Sequence, residues 1–228
     1  MKKENKSLLK YIGLIFLGVL LVYKLPYKPY SISEYFIRPI KLGSGKLYLS
    51  GVVSLILIII GIKGLFKLER YKNTSKILIV LCLIVIVIPL MNWSLDVART
   101  GFHLIKGDSL RAIELEDTSI NLNGSKEATE ITVKLELKDY SKEGNQFKLR
   151  VYLPETLSQY TEEDYYYIDT IQYTQGGRNK SKIEGTIDID LKEGYSQTQF
   201  FESDWLGSNI EYELYNNEGK VKFTDCGF

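Results

Sequence analysis

The sequence predicts a membrane-anchored α + β protein: three N-terminal transmembrane helices followed by an antiparallel β-sandwich. Three observations carry this. Charge divides the chain in two, an uncharged apolar run of 19 residues closes the first part, and period-2 hydrophobic alternation fills the second. The expected layout is a membrane domain over 1–94 with helices near 8–24, 47–66 and 76–95, a juxtamembrane connector over 95–110, and a soluble β-rich domain over 111–228.

Residues 1–94 hold 14 Lys and Arg but only three acids, Glu4, Glu34 and Glu69, a net +11. Residues 95–228 hold 15 Lys and Arg against 25 Asp and Glu, a net −10. The two parts therefore face different surroundings. The acidic part is long enough for a core of its own, and it lacks the basic face that nucleic acid requires. The basic residues of the first part flank apolar runs, where membrane proteins place them. The lipid bilayer is the expected partner, and nucleic acid is not.

The third run, Ile77 to Leu95, has 19 uncharged residues. At about 1.5 Å per residue it reaches roughly 28 Å, close to a ~30 Å hydrocarbon core. Pro89 lies near its end, where a kink is tolerated, and Trp93 stands where an interfacial aromatic belongs. The second run, Leu47 to Ile62, has 16 uncharged residues. It continues through Phe66 when Lys63 snorkels to the headgroups. Ser50, Gly51, Ser54 and Gly61 would permit close approach of another helix, but such residues are common in membrane helices and we read them as incidental. The first run, Tyr11 to Tyr23, has 13 residues, extended to about 16 by Leu8, Leu9 and a snorkelling Lys10. Its basic start, MKKENKSLLK, resembles that of a signal peptide. The exit, VYKLPYK, offers neither a small-x-small cleavage site nor a lipobox cysteine, so we read an uncleaved helix.

Between the first two runs, Tyr23, Tyr27, Tyr30, Tyr35 and Phe36 alternate with Lys24, Lys28, Arg38 and Lys41, a mixture suited to the headgroup layer. Ser31-x-x-Glu34 matches a capping box that would start a short helix before Pro39, with a plain loop as the equal alternative. Three spans put the two ends of the chain on opposite sides. The N-terminus and the second loop carry nine Lys and Arg against seven on the other side. This excess predicts a cytoplasmic N-terminus and an extracytoplasmic C-terminal domain in a multi-pass plasma-membrane protein.

Period-2 alternation is frequent from residue 130 onward. Ile131, Val133, Leu135 and Leu137 share one face, as do Phe147, Leu149, Val151 and Leu153, then Ile183, Ile187, Ile189 and Leu191, then Ile210, Tyr212 and Leu214. Turn signals separate them at Lys142–Asn145, at Gln175–Gly177, and at Asn216–Gly219 before a final VKF strand. Seven or eight short strands of this kind form a sandwich, with immunoglobulin-like topology the commonest order.

Chemistry is sparse. His103 is the only histidine, which excludes histidine-rich metal sites, HExxH and CxxCH motifs. No GxSxG accompanies it, so we read it as a juxtamembrane polar residue. Gly43-Ser44-Gly45-Lys46 lacks the spacing and the following Ser or Thr of a phosphate loop. Glu162, Glu163 and Asp164, aided by Asp169 or by Asp188 and Asp190, have the oxygens for Ca²⁺ or a carboxylate cleft, but no DxDxDG spacing supports it. A solvated turn is the preferred reading. Tyr165, Tyr166 and Tyr167 admit an exposed aromatic patch for a protein or glycan; we assign two of the three to ordinary sheet packing, with Tyr166 and Ile168 on one face and Tyr165 and Tyr167 on the other. No Asp, Glu, Arg or His lies at a span midplane, which argues against a self-sufficient transporter. Cys82 and Cys226 should face different solvents and not pair. Asn-x-Ser/Thr occurs at Asn5, Asn73, Asn92, Asn123 and Asn179, which chance explains.

These readings predict no catalytic, metal or cofactor site. They predict a non-catalytic binding or accessory module whose partner is an envelope protein or a wall polymer. The alternative is a subunit of a larger transport or signalling complex whose helices carry the specific role.

Overall fold

A computed structural model describes residues 2–28, 30–37, 40–42, 45–47, 49–124, 129–203 and 208–226, with backbone alone at 2, 3, 41, 42, 45, 46, 225 and 226. Gly43, Ser44 and the Cys226 side chain thus lie outside the described residues, as does Ser125 of the Asn123 motif. The chain forms two compact units, Met1–Leu25 with Tyr30–Arg99, and Pro26–Pro29 with Thr100–Phe228.

The first unit is helical. Helix α1 spans Lys2–Val22 and α2 spans Ser50–Phe66, with a short hairpin of β1 (Ile40–Leu42) and β2 (Gly45–Leu47) between them. Before the hairpin, Ile32–Tyr35 form a 3-10 turn, and the Ser31 N–H donates to Glu34 Oε2 at 2.6 Å, so the capping-box reading holds. Helix α3 spans Lys76–Leu104, and its last residues, from Thr100, belong to the second unit. Leu83–Val87 within it form a π-helical turn. Pro89 follows at once; it has no N–H for the Val85 carbonyl and its ring crowds that oxygen, and the wider turn absorbs both effects.

Among the described residues, two helices are long and apolar enough to cross a membrane, Glu4–Val22 and Lys76–Leu104. Three were expected. Helix α2 has 17 residues, or about 25 Å at ~1.5 Å each. The connector expected over 95–110 is helical through Leu104, since nothing in LDVARTGFHL breaks a helix strongly; Gly107, at φ 72°, follows its end.

The small residues of α2 are not incidental. Ser50, Ser54, Gly61 and Gly64 are buried. A Cβ on Gly61 would lie 2.5 Å from Ile15 Cγ1, and one on Gly18 would lie 2.9 Å from the Ser54 carbonyl. Helices α1 and α2 therefore pack antiparallel, backbone close to backbone. Gly51, by contrast, is exposed and has open space around it. Ile15, Val19, Leu65, Leu68, Ile79, Leu83 and Met91 fill the interior of this unit.

The second unit holds seven strands among the described residues: β3 (Ile113–Gly124), β4 (Thr129–Asp139), β5 (Gln146–Tyr152), β6 (Tyr165–Tyr173), β7 (Asn179–Ile189), β8 (Asn209–Asn216) and β9 (Gly219–Cys226). They form two antiparallel sheets, ordered β3-β4-β7 and β6-β5-β8-β9, in a sandwich-like arrangement. The apolar faces read from alternation are buried here, Leu191 only partly. Tyr166, Ile168, Phe200 and Phe223 complete the core.

Gly185 interrupts the apolar face of β7 for a packing reason. Its missing side chain leaves room for Ile168 of the facing sheet, whose Cδ1 would lie 2.5 Å from a Cβ there. At one end of the sandwich, the Lys142–Asn145 and Gln175–Gly177 turns carry the chain from sheet to sheet. The fully buried Asp139 carboxylate ties them together. It accepts from the Ser141 N–H at 2.8 Å, the Asn145 amide at 2.9 Å and the Thr174 hydroxyl, which satisfies a charge too costly to bury alone. Gly144 sits at φ 90° beside the Thr174 carbonyl, where only glycine fits.

Gly185→Val should drive Ile168 out of its slot and lower stability by about 1–3 kcal/mol. Thermal unfolding checks this, and a second change, Ile168→Ala, should recover part of the loss. Additive losses would show that the two residues do not share the space.

Candidate functional site

The outer face of the four-stranded sheet carries a cluster that alternation places but does not reveal. Residues at alternate positions of β5, β6 and β8 come into register across the sheet. Arg150 pairs with Tyr167 on one side and Glu213 on the other, Tyr152 with Tyr165 and Glu211, and Lys148 with Tyr215. All of these point away from the core.

Arg150 is the centre. Its Nη1 donates to Glu213 Oε1 at 2.7 Å and to the Tyr152 hydroxyl at 3.0 Å, and its Nη2 donates to the Tyr167 hydroxyl at 3.1 Å. Its guanidinium carbon lies 4.9 Å from the Tyr167 ring centre, 5.0 Å from Tyr165, 5.2 Å from Tyr215 and 5.9 Å from Tyr152. These are cation–π distances. The rings meet edge to face, Tyr165 with Tyr167 at 5.4 Å and 90°. Lys222 caps the group, 4.0 Å above Tyr152.

This layer buries a charge on the solvent side of a sheet. Glu213 is 1% exposed, with Lys220 Nζ 3.5 Å from its second oxygen. The hydrogen bond that Arg150 donates to the Tyr152 hydroxyl raises the Arg150 pKa, so the centre of the face is a fixed cation, and burial raises the pKa of the Tyr215 phenol. Tyr166 alone of the three successive tyrosines enters the core, with Ile168; Tyr165 and Tyr167 share the other face and belong to this layer, as alternation places them. The arrangement offers stacking faces, phenolic donors and acceptors, and a rigid centre, which suits recognition.

The other candidates do not gather. Glu162, Glu163, Asp164, Asp188 and Asp190 are all exposed, and so is Asp169. The Glu162 N–H reaches the Asp190 carbonyl at 2.9 Å, so the segments touch through backbone. Among the described residues, no three His, Cys, Asp or Glu side chains converge as a metal site requires.

His103 is not a solvated juxtamembrane residue. It is fully buried in the second unit, stacked on Tyr140 at 4.4 Å and 7°. Its Nε2 lies 3.3 Å from Glu114 Oε2, at ion-pair distance but off the line of a hydrogen bond. The Tyr140 hydroxyl donates to the same carboxylate at 3.4 Å. The Tyr27 hydroxyl donates to the Arg111 carbonyl and sits 3.4 Å from His103 Nδ1. Burial, then the Glu114 charge, pushes the Tyr27 phenol up to about 12, so it stays a neutral donor. Tyr27 holds φ 60°, which a bulky residue adopts only when its surroundings enforce it. No serine, cysteine or threonine is among these polar neighbours of His103, so the cluster has no triad geometry. It is a packed polar anchor for Tyr27.

No protein-family model matches the chain, and no curated protein matches it. Among solved structures it is similar to DesR, a beta-glucosidase from Streptomyces venezuelae in complex with D-glucose. The identity is 10%, the TM-score 0.22, and the match covers 49% of this chain and 15% of that one. A likeness at that level carries no argument about fold or activity.

Arg150→Ala should leave Glu213 buried beside Lys220 alone. The expected loss is roughly 3 kcal/mol, the low end for a broken buried pair because one cation remains. Arg150→Lys should lose less than alanine but more than half of that, since one ammonium cannot reach both tyrosine hydroxyls and the carboxylate. Denaturant midpoints for the two variants test the order.

Proposed function

We propose that the chain is an integral membrane protein that displays a non-catalytic β-sandwich binding or accessory module on the outer side of a bacterial plasma membrane. The observation that carries this reading is the Arg150-centred tyrosine layer, an organised recognition surface on an otherwise charged domain. An envelope protein or a wall polymer is the partner proposed, because phenol rings and hydroxyls around one cation suit both aromatic-rich contacts and sugar rings.

The proposed topology has three spans and a cytoplasmic N-terminus. Helices α1 and α3 qualify by length and composition. Helix α2 lies antiparallel against α1 from Gly18–Ser54 to Tyr11–Gly64, so it runs through the same layer. Its 17 residues stand at the short end of what spans. The apolar side chains of α3 from Ile77 to Trp93 face outward in large part, which hydrocarbon tolerates and water does not. The strand order supports an immunoglobulin-like domain. With the seven strands lettered A to G, the sheets read A-B-E and D-C-F-G, which differs from constant-type order by the fourth strand alone.

The second reading, a subunit of a larger transport or signalling complex, draws on the close α1–α2 packing, which is more structure than a bare anchor needs. Replacing the helices with an unrelated anchor separates the two: a surface module tolerates the exchange, and a complex subunit does not.

Orientation tests the leading reading. With Cys82→Ser and Cys226→Ser in place, Glu218→Cys puts a thiol in the exposed β8–β9 turn. A membrane-impermeant maleimide should label it in intact cells. Labelling only after permeabilisation would put the domain in the cytoplasm and remove a surface role.

A further inference from the structure

Four strands stand at the edges of the two sheets among the described residues, β3 and β7 of one, β6 and β9 of the other. An edge strand offers unpaired N–H and C=O groups, and proteins guard such edges with charge, lysine or a bulge. Lys220 and Lys222 guard β9, and Lys180, Lys182, Glu184 and Asp188 guard β7. A register break over residues 169–171 interrupts β6, with Asp169 in it. The first half of β3 is guarded too, by Glu114, Glu116 and Asp117 around its own register break between Leu115 and Asp117. Its second half is not. Residues 118–124 read TSINLNG, without charge, proline or a break in register. Among the described residues, 119–123 make no backbone hydrogen bond outside the β3–β4 ladder. An open recess of about 570 Å³ is lined by residues 120–123, and Ile120 and Leu122 are only partly buried.

We propose that two copies of the chain pair through this edge, residues 119–123 of β3 running antiparallel to the same residues of a second copy about a two-fold axis at Asn121. The segment is its own complement. With Asn121 opposite Asn121, Ser119 faces Asn123 of the second copy and Ile120 faces its Leu122. Polar then meets polar on the outer side, and apolar meets apolar on the inner side. A shift by one residue would set inner residues against outer ones. The neighbouring strands fit the same register. Thr132 and Thr186 continue the Asn121 row without charge, their hydroxyls 3.4 Å apart. Lys134 and Glu184 continue the Ser119 row, whereas Glu130 and Asp188 continue the Asn123 row. Each of these rows therefore brings Lys134 of one copy toward Glu130 of the other, unlike charges across the seam. Lys134 is held in place by its own Glu184 at 2.9 Å. The two three-stranded sheets become one sheet of six strands. The seam lies in the sheet opposite the tyrosine face, which both copies keep open.

The test uses the full-length protein in mild detergent, with Cys82→Ser and Cys226→Ser in place. Directly opposite residues of an antiparallel pair have Cα atoms about 4.5–5.5 Å apart, within disulfide reach. Asn121→Cys should therefore give a disulfide-linked dimer on mild oxidation. Ser119→Cys should not do so by itself, because its two copies stand about 14 Å apart, but it should link when mixed with Asn123→Cys. Mass measurement across the micromolar range should show a reversible dimer. The triple variant Ser119→Lys/Asn121→Lys/Asn123→Lys sets three pairs of like charges face to face. At about five-fold for each pair, dimerisation should weaken roughly 100-fold. All three positions are exposed, so the melting temperature at a monomeric dilution should not change. The matching triple aspartate variant, mixed with it, should restore a heterodimer. A monomer at every concentration, equal linking of Asn121→Cys and Ser119→Cys, or a dimer that the lysine variant keeps overturns the proposal. So does linking of Asn121→Cys in intact cells to a different protein, which would mark the edge as the seat of a foreign strand.

Discussion

Glu213 has a carboxylate on the solvent side of a sheet that is almost wholly shielded from solvent. Such a charge needs a cation with good geometry, because removing it from water costs several kcal/mol. Arg150 supplies that cation from the next strand, at 2.7 Å. The rest of the face follows from this pair. A guanidinium held in place by a carboxylate presents its remaining N–H groups in fixed directions, and the Tyr152 and Tyr167 hydroxyls take them. The tyrosine rings then stand where a planar cation attracts them, and their bulk seals Glu213 from water. Charge, aromatic packing and strand register support one another, so the face is organised before any partner arrives.

That face is only as rigid as the sandwich beneath it. Every second residue of β5 and β8 points inward, where Leu149, Val151, Tyr212 and Leu214 are buried, and this alternation sends Arg150 and Glu213 outward side by side. A one-residue slip of β8 would put Glu213 in the core. The Asp139 network and the Gly185–Ile168 fit tie the two sheets to each other.

Much of this was legible in the sequence, for reasons that also explain the rest. The strands over 131–138, 147–153, 183–191 and 210–214 show period 2 because one face of each is dry, and that face was read correctly. The alternation of IEYEL assigned Glu213 to the outer face but could not show it buried, because burial there comes from Arg150, which lies 63 positions away in sequence. His103 misled for the same reason: Tyr27, Glu114 and Tyr140 reach it from distant segments. In α2, serine and glycine at Ser50, Ser54 and Gly61 were ambiguous because small residues are frequent in membrane helices; only the close approach of α1 shows that they are used. Helix α3 outran its apolar segment because hydrophobicity marks the solvent of a helix, not its end, and the end comes with Gly107.

In the proposed function the helices and the sheet face divide the work: apolar length would fix where the chain resides, and the tyrosine layer would offer a partner its contact. A photo-crosslinking residue at Tyr167, on the outer face of the four-stranded sheet, tests this most directly in intact cells. Thr186, exposed on the outer face of the three-stranded sheet, is the control position. The account predicts a shifted, reproducible adduct from position 167 and none from 186. No adduct at 167, or the same adducts from both faces, would contradict it.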